Sequence, residues 1–451
     1  MRKLAESRRP KRNLKRRQRR AVVPTRSSQY QTGMNSGYQE GLRTGQSSFG
    51  TYFEGTSIII PNYNQVDYLK QCIASIRRFT NPPFEIIVVD NASTDGAGAY
   101  LASLGSAVRY RVLESNRGFA GAINVGMMMA RGSYLLLLNN DTVVAENWLS
   151  NMLACLNSSP TVGMVGPVTN YISGDQRIEV PYKTVRGMPN FARQHNVSNP
   201  SRWQQTDRLT GFCLLMRREL WDRTGFMDEG YTVGNYEDDD YNIRVRLQGY
   251  SLMIARDTFI HHFGSVSIRA LGERVTVVND HNRHVYMEKW GNPHDLVHFV
   301  RGIGHGMIPA GETAFFPQHV IVRGSRDNFY WIEDGIKRLI AGPVAIPATR
   351  LSRVELRRWP IGEPISVEEA QAKWHGVTVE GLPWSEGLMA RGMDGLLYMV
   401  ENGTKRKVAS AKAAEDWHLV LKPNIAFTPE QISSLPEGLP IIAPIRTADH
   451  L

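Results

Sequence analysis

The sequence predicts an α/β protein in which a mostly parallel sheet with helices on both faces is followed by two small tandem modules, each containing a β-hairpin. Three observations lead to this prediction. From Thr56 onward, short apolar segments of strand length alternate with segments of helical periodicity, which is typical of parallel sheets. The last third of the chain repeats itself after 68 residues. The length of 451 residues, 42% of them hydrophobic, allows two to three domains.

The elements of the sheet domain follow from the spacing of apolar residues. The expected elements in chain order are strand 56–63, helix 66–79, strands 84–89 and 108–113, helix 120–130, strand 134–138, helix 146–156, strand 252–260 and helix 279–290, which Gly291 and Pro293 end. In such a sheet, ligands bind at the carboxyl ends of the strands. The polar residues 171–206 are expected to form a mobile loop over that edge.

The N-terminal tail carries the net charge of the chain. Residues 1–20 contain eleven Lys and Arg and one acid, so they alone account for the net charge of +10. Residues 1–50 are expected to form a disordered tail and linker. The tail would attract an anionic membrane surface or an acidic partner, or else be a solvated tail without a partner. Since residues 1–20 lack aromatic residues for base stacking, no specific nucleic acid is expected.

The internal repeat predicts the two C-terminal modules. An apolar run, a Glu-Asp-Gly or Glu-Asn-Gly turn and a second run that begins Lys-Arg occur at 329–338 and again at 397–406. This pattern is the sequence signal of a β-hairpin. A Gly-x-Pro-Ile segment follows each hairpin, at 362–365 and 438–441, so the second copy has gained about eight residues. The expected domains after the tail are the sheet domain and the two modules, at 51–300, 301–385 and 386–451.

Cysteine content and hydropathy exclude other classes. Cys72, Cys155 and Cys213 form no CxxC pair, so neither a disulfide framework nor a structural zinc site is expected. No apolar stretch is long enough to cross a bilayer. We expect a cytoplasmic protein, peripheral at the inner face of the membrane if the basic tail binds there.

Polar residues follow the first two strands. Pro61 and Tyr63 end the first strand, and Asp90 and Asn91 end the second. An aromatic face beside hydrogen-bonding groups is suited to a flat heterocycle such as a nucleotide base. Alternatively, these are turn residues that bond their own backbone.

A carboxylate and two imidazoles end other strands. Asp141 follows strand 134–138, and a carboxylate there, with diphosphate oxygens, satisfies Mg²⁺ or Mn²⁺. Asp141 is otherwise a turn or cap residue before the next helix. His261 and His262 follow strand 252–260, and an imidazole there is a candidate metal ligand.

Four consecutive acids, residues 237–240, open a helix. The helix macrodipole favours acids in a first turn and accounts for one or two of them. The same dipole keeps a carboxylate ionised near neutral pH, as a general base requires. Asp240 and Arg244 are four residues apart and are expected to pair on one helix face.

The order of these motifs resembles the family 2 glycosyltransferases with the GT-A fold, particularly the branch of rhamnosyl- and galactofuranosyl-transferases. The GT-A fold is Rossmann-like, with a mostly parallel mixed sheet and helices on both faces. The resemblance covers about residues 56–291 and leaves the tail and the modules outside. It implies a donor that is a UDP- or dTDP-linked sugar and an acceptor that is a glycan, a lipid-linked molecule or a protein.

The resemblance also implies a role for individual residues. Asp238 matches the catalytic base. Asp141 ends the family's Asp-x-Asp position, here 139–141, and would hold Mg²⁺ or Mn²⁺ together with His262, for which His261 is the alternative. The first residue of this motif is Asn139, and an amide is a weaker cation ligand than a carboxylate. The acceptor side would comprise Glu237, Asp240 and Arg244. The nucleotide sugar would contact Pro61, Tyr63, Asp90, Asn91, Asn116, Gly118, Asn124, Asn140 and Asp141.

The sequence therefore predicts an inverting glycosyltransferase of polysaccharide biosynthesis or protein glycosylation in the bacterial cell envelope. The alternative is a catalytically degenerate scaffold that binds a nucleotide sugar and acts through its C-terminal repeats. A nucleotidyltransferase is disfavoured because residues 61–65 lack a Gly-rich phosphate loop.

Overall fold

The computed structural model describes residues 50–264, 274–303, 311–324, 328–376 and 384–448. The basic tail and nearly all of the linker lie outside these residues. The strands are β1 Phe53–Asn62, β2 Phe84–Asp90, β3 Arg109–Val112, β4 Gly132–Leu138, β5 Thr142–Val143, β6 Val162–Val168, β7 Trp203–Thr206, β8 Cys213–Arg217, β9 Ser251–Phe259, β10 His261–His262, β11 Val320–Arg323, β12 Phe329–Glu333, β13 Ile336–Ala341, β14 Thr349–Arg350, β15 Ile361–Ser366, β16 Met389–Arg391, β17 Leu397–Glu401, β18 Thr404–Lys407 and β19 Asn424–Ala426. The helices are α1 Val66–Phe79, α2 Ala97–Ser103, α3 Gly118–Met129, α4 Trp148–Leu156, α5 Met188–His195, α6 Arg218–Thr224, α7 Glu237–Leu247, α8 Arg274–Trp290, α9 Pro293–Gly302, α10 Arg353–Leu356, α11 Val367–Trp374, α12 Ala411–Asp416 and α13 Pro429–Ser434.

The expected mostly parallel sheet is confirmed, with antiparallel additions. Its strand order is β3-β2-β1-β4-β8-β6-β9-β7. The first four strands are parallel, whereas β8 runs antiparallel to β4 and β6, and β7 runs antiparallel to β9. Strands β6, β7 and β8 are additional to the expected elements. Gly163, Gly166 and Pro167 interrupt the apolar run of β6, which weakens its strand signal.

Helices cover both faces of this sheet, as expected. Alternate residues of β1 face opposite sides of the sheet. Ile58 and Ile60 pack with α1 and α4, and Ile59 packs with α3 and α7. The bounds of α1 agree with the prediction at both ends. Helix α8 begins at Arg274, before the predicted start at residue 279.

Residues 171–206 are not a loop throughout, which corrects the expectation. They contain α5 and the edge strand β7 of the main sheet. The helix forms because Met188 and Ala192, four residues apart, both bury their side chains in the apolar core beside the sheet. Pro189 in the first turn favours the helix start.

Both predicted hairpins are present. In the first, β12 pairs with β13 through Asp334 and Gly335, whose φ angles are 50° and 70°, and Asn402 and Gly403 take the same left-handed conformation in the second. Positive φ at both central residues is the turn that Asp-Gly and Asn-Gly favour. The additional residues of the second copy include α12, which lies between β18 and β19.

The repeated Lys-Arg pair makes equivalent contacts in both modules. Lys337 donates to the carbonyl of Leu356 at the end of α10, and Arg338 forms an ion pair with Glu333. The second module repeats these contacts with Lys405, Ile432, Arg406 and Glu401. The repeat is therefore explained by the internal structure of each module.

The modules and the sheet domain share an apolar core. Ile243 of α7, Trp290 of α8 and Val297 of α9 pack in one cluster with Ile332 and Met399 of the two hairpins. All three cysteines are buried as free thiols. Within the described ranges, every helix is too short or too polar to cross a membrane.

Candidate active site

A cleft of about 960 Å³ opens where β1, β2 and β4 end and α7 begins. It brings together residues that are distant in sequence. Of the predicted site residues, those lining it are Pro61, Tyr63, Asn91, Asn116, Gly118, Asn140, Asp141, Glu237, Asp238 and His262. The cleft lining does not include Asp90, Asn124, Asp240, Arg244 or His261.

One end of the cleft carries the residues predicted for a nucleotide base. Tyr63 lines the cleft and is 41% exposed, and an aromatic ring is suited to stack on a base. The Asn91 side chain donates to Asn116 Oδ1 and to the Gly118 carbonyl, both at 3.0 Å. These bonds connect the end of β2 to the start of α3, and they fix Asn91 against the loop beside it.

Asp90 and Asn124 support the cleft from below its surface. Asp90 is fully buried, and its Oδ1 accepts from Asn62 Nδ2 at 2.8 Å, which joins the ends of β1 and β2. Asn124 is also fully buried and donates to Glu229 Oε1 at 2.9 Å. Glu229 lines the cleft and pairs with Arg117. Asn124 therefore acts on the cleft through Glu229.

Asp141 and His262 meet in the cleft. Nε2 of His262 lies 3.1 Å from Oδ1 of Asp141, and the imidazole stacks on Phe212 with 13° between the planes. His262 is fully buried. His261 is the alternative ligand. Its Nδ1 instead forms a hydrogen bond with the Tyr182 hydroxyl, at 2.8 Å. The structure therefore favours His262 over His261.

The Asp141–His262 pair has the donor chemistry of a cation site. Nδ1 of His262 lies 2.8 Å from the Tyr171 carbonyl, which only accepts hydrogen bonds, so Nδ1 carries a hydrogen. In that tautomer Nε2 presents its lone pair toward Oδ1 of Asp141. A divalent cation would satisfy both Nε2 and Oδ1. Oδ1 of Asn139, which also lines the cleft, is buried with no hydrogen-bond partner among the described residues. Among these residues, no group of three or more His, Cys, Asp or Glu is arranged to hold a metal. The remaining ligands would have to come from a diphosphate and water.

Asp238 is the second carboxylate of the cleft. Its Oδ2 accepts from the Gly211 amide at 2.7 Å and its Oδ1 from the Asp239 amide at 2.9 Å. Burial raises the pKa of Asp238 to about 6, the charge of Asp239 adds to this rise, and Arg208 opposes it. The carboxylate is therefore mostly ionised at neutral pH, although burial makes it a weaker acid than the helix dipole alone would predict.

The other acids of this turn have different environments. Glu237 lines the cleft, and its Oε2 is buried without a hydrogen-bond partner in the described structure. Burial, followed by the charge of Asp238, raises the pKa of Glu237 well above its ordinary value. Burial and the neighbouring charge thus both favour the protonated form of Glu237 over the ionised form.

Asp240 and Arg244, predicted for the acceptor side, lie outside the cleft lining. Both are fully buried, 3.6 Å apart, so only their predicted pairing is confirmed. Arg244 also binds Glu312 with Nη2 to Oε2 at 3.1 Å. Asp240 accepts from Trp290 Nε1 at 2.8 Å. The two residues hold α7 in place because their partners come from other parts of the fold.

Several cleft residues were not predicted from the sequence. Arg208 binds Asp239 through two nitrogens, at 2.5 and 3.2 Å, and contacts Ser173 Oγ at 3.3 Å. Arg117 and Glu229 form the pair described above. No local pattern identifies them, because each depends on a partner far away in sequence.

Part of the chain is similar to known proteins. Residues 57–225 match the family model described as glycosyl transferase family 2. A protein of Sinorhizobium fredii, uncharacterized protein y4gI, is 32% identical over 233 residues, which are 48% of this chain and 25% of that protein. Glycosyltransferase GlyG of Streptococcus pneumoniae is 33% identical over 122 residues, 26% of this chain and 40% of that protein. The chain thus spans less than half the length of these two relatives.

Among solved structures, the crystal structure of GalNAc-T7 with UDP, GalNAc and Mn²⁺ aligns with a TM-score of 0.41 and 15% identity, over 56% of this chain and 52% of that chain. Asp238 and His262 follow the residues that the family model matches. The mixed sheet with helices on both faces is the α/β architecture expected of the GT-A fold. Residues 57–225 are thus similar to glycosyl transferase family 2.

Proposed function

We propose that this protein is an inverting glycosyltransferase that moves a sugar from a nucleoside diphosphate to an acceptor hydroxyl. The observation that carries the proposal is that one cleft contains Tyr63 and Asn91 for a base, Asp141 and His262 for a diphosphate-bound cation, and Asp238 for proton transfer.

Asp238 would act as the general base. Its oxygens each accept one backbone hydrogen bond, and a carboxylate has further lone pairs to accept the proton of an acceptor hydroxyl. The deprotonated oxygen then forms a bond to the anomeric carbon while the bond from that carbon to the diphosphate breaks. A single displacement of this kind inverts the anomeric centre, and NMR of the product tests it.

Asp141 and His262 would hold Mg²⁺ or Mn²⁺, which supplies positive charge for the departing diphosphate. Asn91 and Tyr63 would orient the base, with Asn116 and Gly118 beside them. Glu237, which lines the cleft, would form a hydrogen bond with a substrate hydroxyl on the acceptor side.

The finer assignments are also proposals. We infer a UDP- or dTDP-linked donor of the rhamnosyl- or galactofuranosyl-transferase type and a glycan, lipid-linked or protein acceptor, since the motifs resemble that branch. The basic tail supports a cytoplasmic location at an anionic membrane surface.

A donor panel tests the proposed function. The full chain is incubated with UDP-, dTDP- and GDP-sugars and Mn²⁺, and release of the nucleoside diphosphate is measured beside Asp238→Asn and Asp141→Ala. We expect release from one donor class and loss in both variants. Binding of no nucleotide in calorimetry, together with no release, would overturn the proposal, and binding with equal release by all three proteins would exclude these roles.

A further inference from the structure

The segment that leads into the acidic turn follows an unusual backbone path. Val233, Asn235 and Tyr236 have φ angles of 63°, 80° and 74°. L-residues rarely adopt this left-handed conformation, and a β-branched residue such as Val does so least readily. Residues 232–236 all line the cleft. The segment therefore needs support from outside itself to keep this path.

One side chain of α8 supplies most of that support. Asn282 is fully buried. Its Oδ1 accepts from the Thr232 amide at 3.0 Å and from the Thr232 hydroxyl at 3.3 Å. Its Nδ2 donates to the carbonyls of Thr232, Gly234 and Asn235 at 3.0, 2.9 and 3.0 Å. An amide is suited to this position because it offers an acceptor and a donor at the same side-chain end.

The segment is also held on its other side. The Phe119 amide, at the start of α3, donates to the Val233 carbonyl at 2.8 Å. A Cβ atom on Gly118 would lie 3.3 Å from the Val233 amide nitrogen, so the two backbones are in close contact. Residues 232–236 thus connect the Gly118 side of the cleft with the acids of α7.

The C-terminal end of helix α8 also contacts the acidic turn, residues 237–240. Trp290 Nε1 and Lys289 Nζ lie 2.8 and 2.7 Å from Asp240 Oδ1. The helix therefore binds the chain on both sides of Asp238, through Asn282 before it and through Trp290 and Lys289 after it.

We propose that Asn282 is a positioning residue that holds 232–236 in its left-handed path and thereby sets the place of Asp238 relative to the Gly118 side of the cleft. The proposal rests on the proposed function for its effect on turnover, and on the hydrogen bonds alone for its effect on the segment.

The test compares Asn282→Ala with the double variant Asn282→Ala/Val233→Gly in the full chain. Glycine adopts positive φ without steric cost, so Val233→Gly should restore the path when the amide is gone. Asn292→Ala is the matched control, because Asn292 is exposed and its side chain bonds only to Asp295 Oδ2 among the described side-chain hydrogen bonds, at 2.6 Å.

We expect Asn282→Ala to lower kcat about 100-fold while nucleotide affinity changes less than about threefold. Amide hydrogen exchange in 232–236, followed by mass spectrometry, should become at least about tenfold faster. The double variant should recover about tenfold in kcat and part of the protection. If Asn282→Ala does not fold, Asn282→Asp, which keeps the volume, is measured in the same way.

Two results would overturn the proposal: unchanged exchange in 232–236, or a fall in thermal stability with kcat per folded molecule within threefold of the parent. Absence of rescue by Val233→Gly in both readouts would show a general structural role instead. If the parent protein releases no nucleoside diphosphate, the proposed function fails, and hydrogen exchange still decides the role of Asn282.

Discussion

Nε2 of His262 lies 3.1 Å from Oδ1 of Asp141, although 121 residues separate them in sequence. The Tyr171 carbonyl fixes the hydrogen on the other ring nitrogen of His262, and Phe212 fixes the ring plane. The two side chains are thus oriented without a ligand, which would lower the cost of binding a cation between elements distant in sequence.

The adjacent histidines provide a matched test of this pair. We expect His262→Gln to weaken Mn²⁺ binding in calorimetry by at least about tenfold and to lower nucleoside diphosphate release about 100-fold. His261→Gln should stay within threefold of the parent, since His261 contacts Tyr182 outside the cleft lining. Equal effects of the two substitutions would contradict the assignment of His262.

Ionisation of Asp238 should limit activity at low pH. Because burial raises the pKa of this carboxyl to about 6, its base form is lost as the pH falls through about 6. The plot of log kcat/KM against pH should therefore fall with a slope of one below that value. Asp238→Asn should lower kcat by roughly 10²- to 10⁴-fold. A profile that stays flat to pH 5 would argue against Asp238 as the base.

Two neighbours of Asp238 should shift the acidic limb of the pH profile, where activity falls with pH, in opposite directions. Asp239 raises the pKa of Asp238 and Arg208 lowers it. Asp239→Asn should therefore shift the acidic limb to lower pH, and Arg208→Gln should shift it to higher pH. Both profiles are measured at one ionic strength, because Arg208 is partly exposed and its effect is screened by salt. Shifts of the same sign would show that another group causes the limb.

Glu312 should contribute to stability through two arginines. It is buried, and it accepts from Arg244 of α7 and from Arg358. Glu312→Gln would leave two buried guanidinium groups without this carboxylate, so we expect a loss of about 3–5 kcal/mol in the free energy of unfolding from urea titration. The exposed Glu219→Gln should change it by less than about 0.5 kcal/mol. A small effect of Glu312→Gln would mean that water takes the place of the carboxylate beside the two arginines.

The repeated Gly of the Gly-x-Pro-Ile segment should be required for packing. A Cβ atom on Gly438 would lie 2.4 Å from Thr404 Oγ1. Gly438→Ala should therefore cost about 1–3 kcal/mol in unfolding free energy. Gly302→Ala is the control, because a Cβ atom there meets no neighbour within 4 Å, and it should be neutral or slightly stabilising. A neutral Gly438→Ala would show that the module adjusts.

Much of the fold could be predicted from the sequence because it depends on local patterns. The apolar spacing of α1 defines both of its ends, and the Asp-Gly and Asn-Gly turns define the two hairpins. The order of polar residues after successive strands indicated a shared edge, since parallel strands end together. Sequence alone thus determined the α/β class, the hairpin repeat and ten of the residues that line the cleft.

The tertiary structure decided what depends on distant partners. The sequence does not distinguish His261 from His262 as a ligand. Successive residues of β10 point to opposite sides, and the pairing of β10 with β5 decides which histidine meets Asp141. The spacing of Asp240 and Arg244 predicts that they pair on one helix face, but it does not encode their burial against Glu312 and Trp290. The raised pKa of Asp238 likewise comes from burial, which no local pattern encodes. Sequence periodicity reports which face of an element is apolar, whereas burial, pairing and ionisation depend on the elements that pack against it.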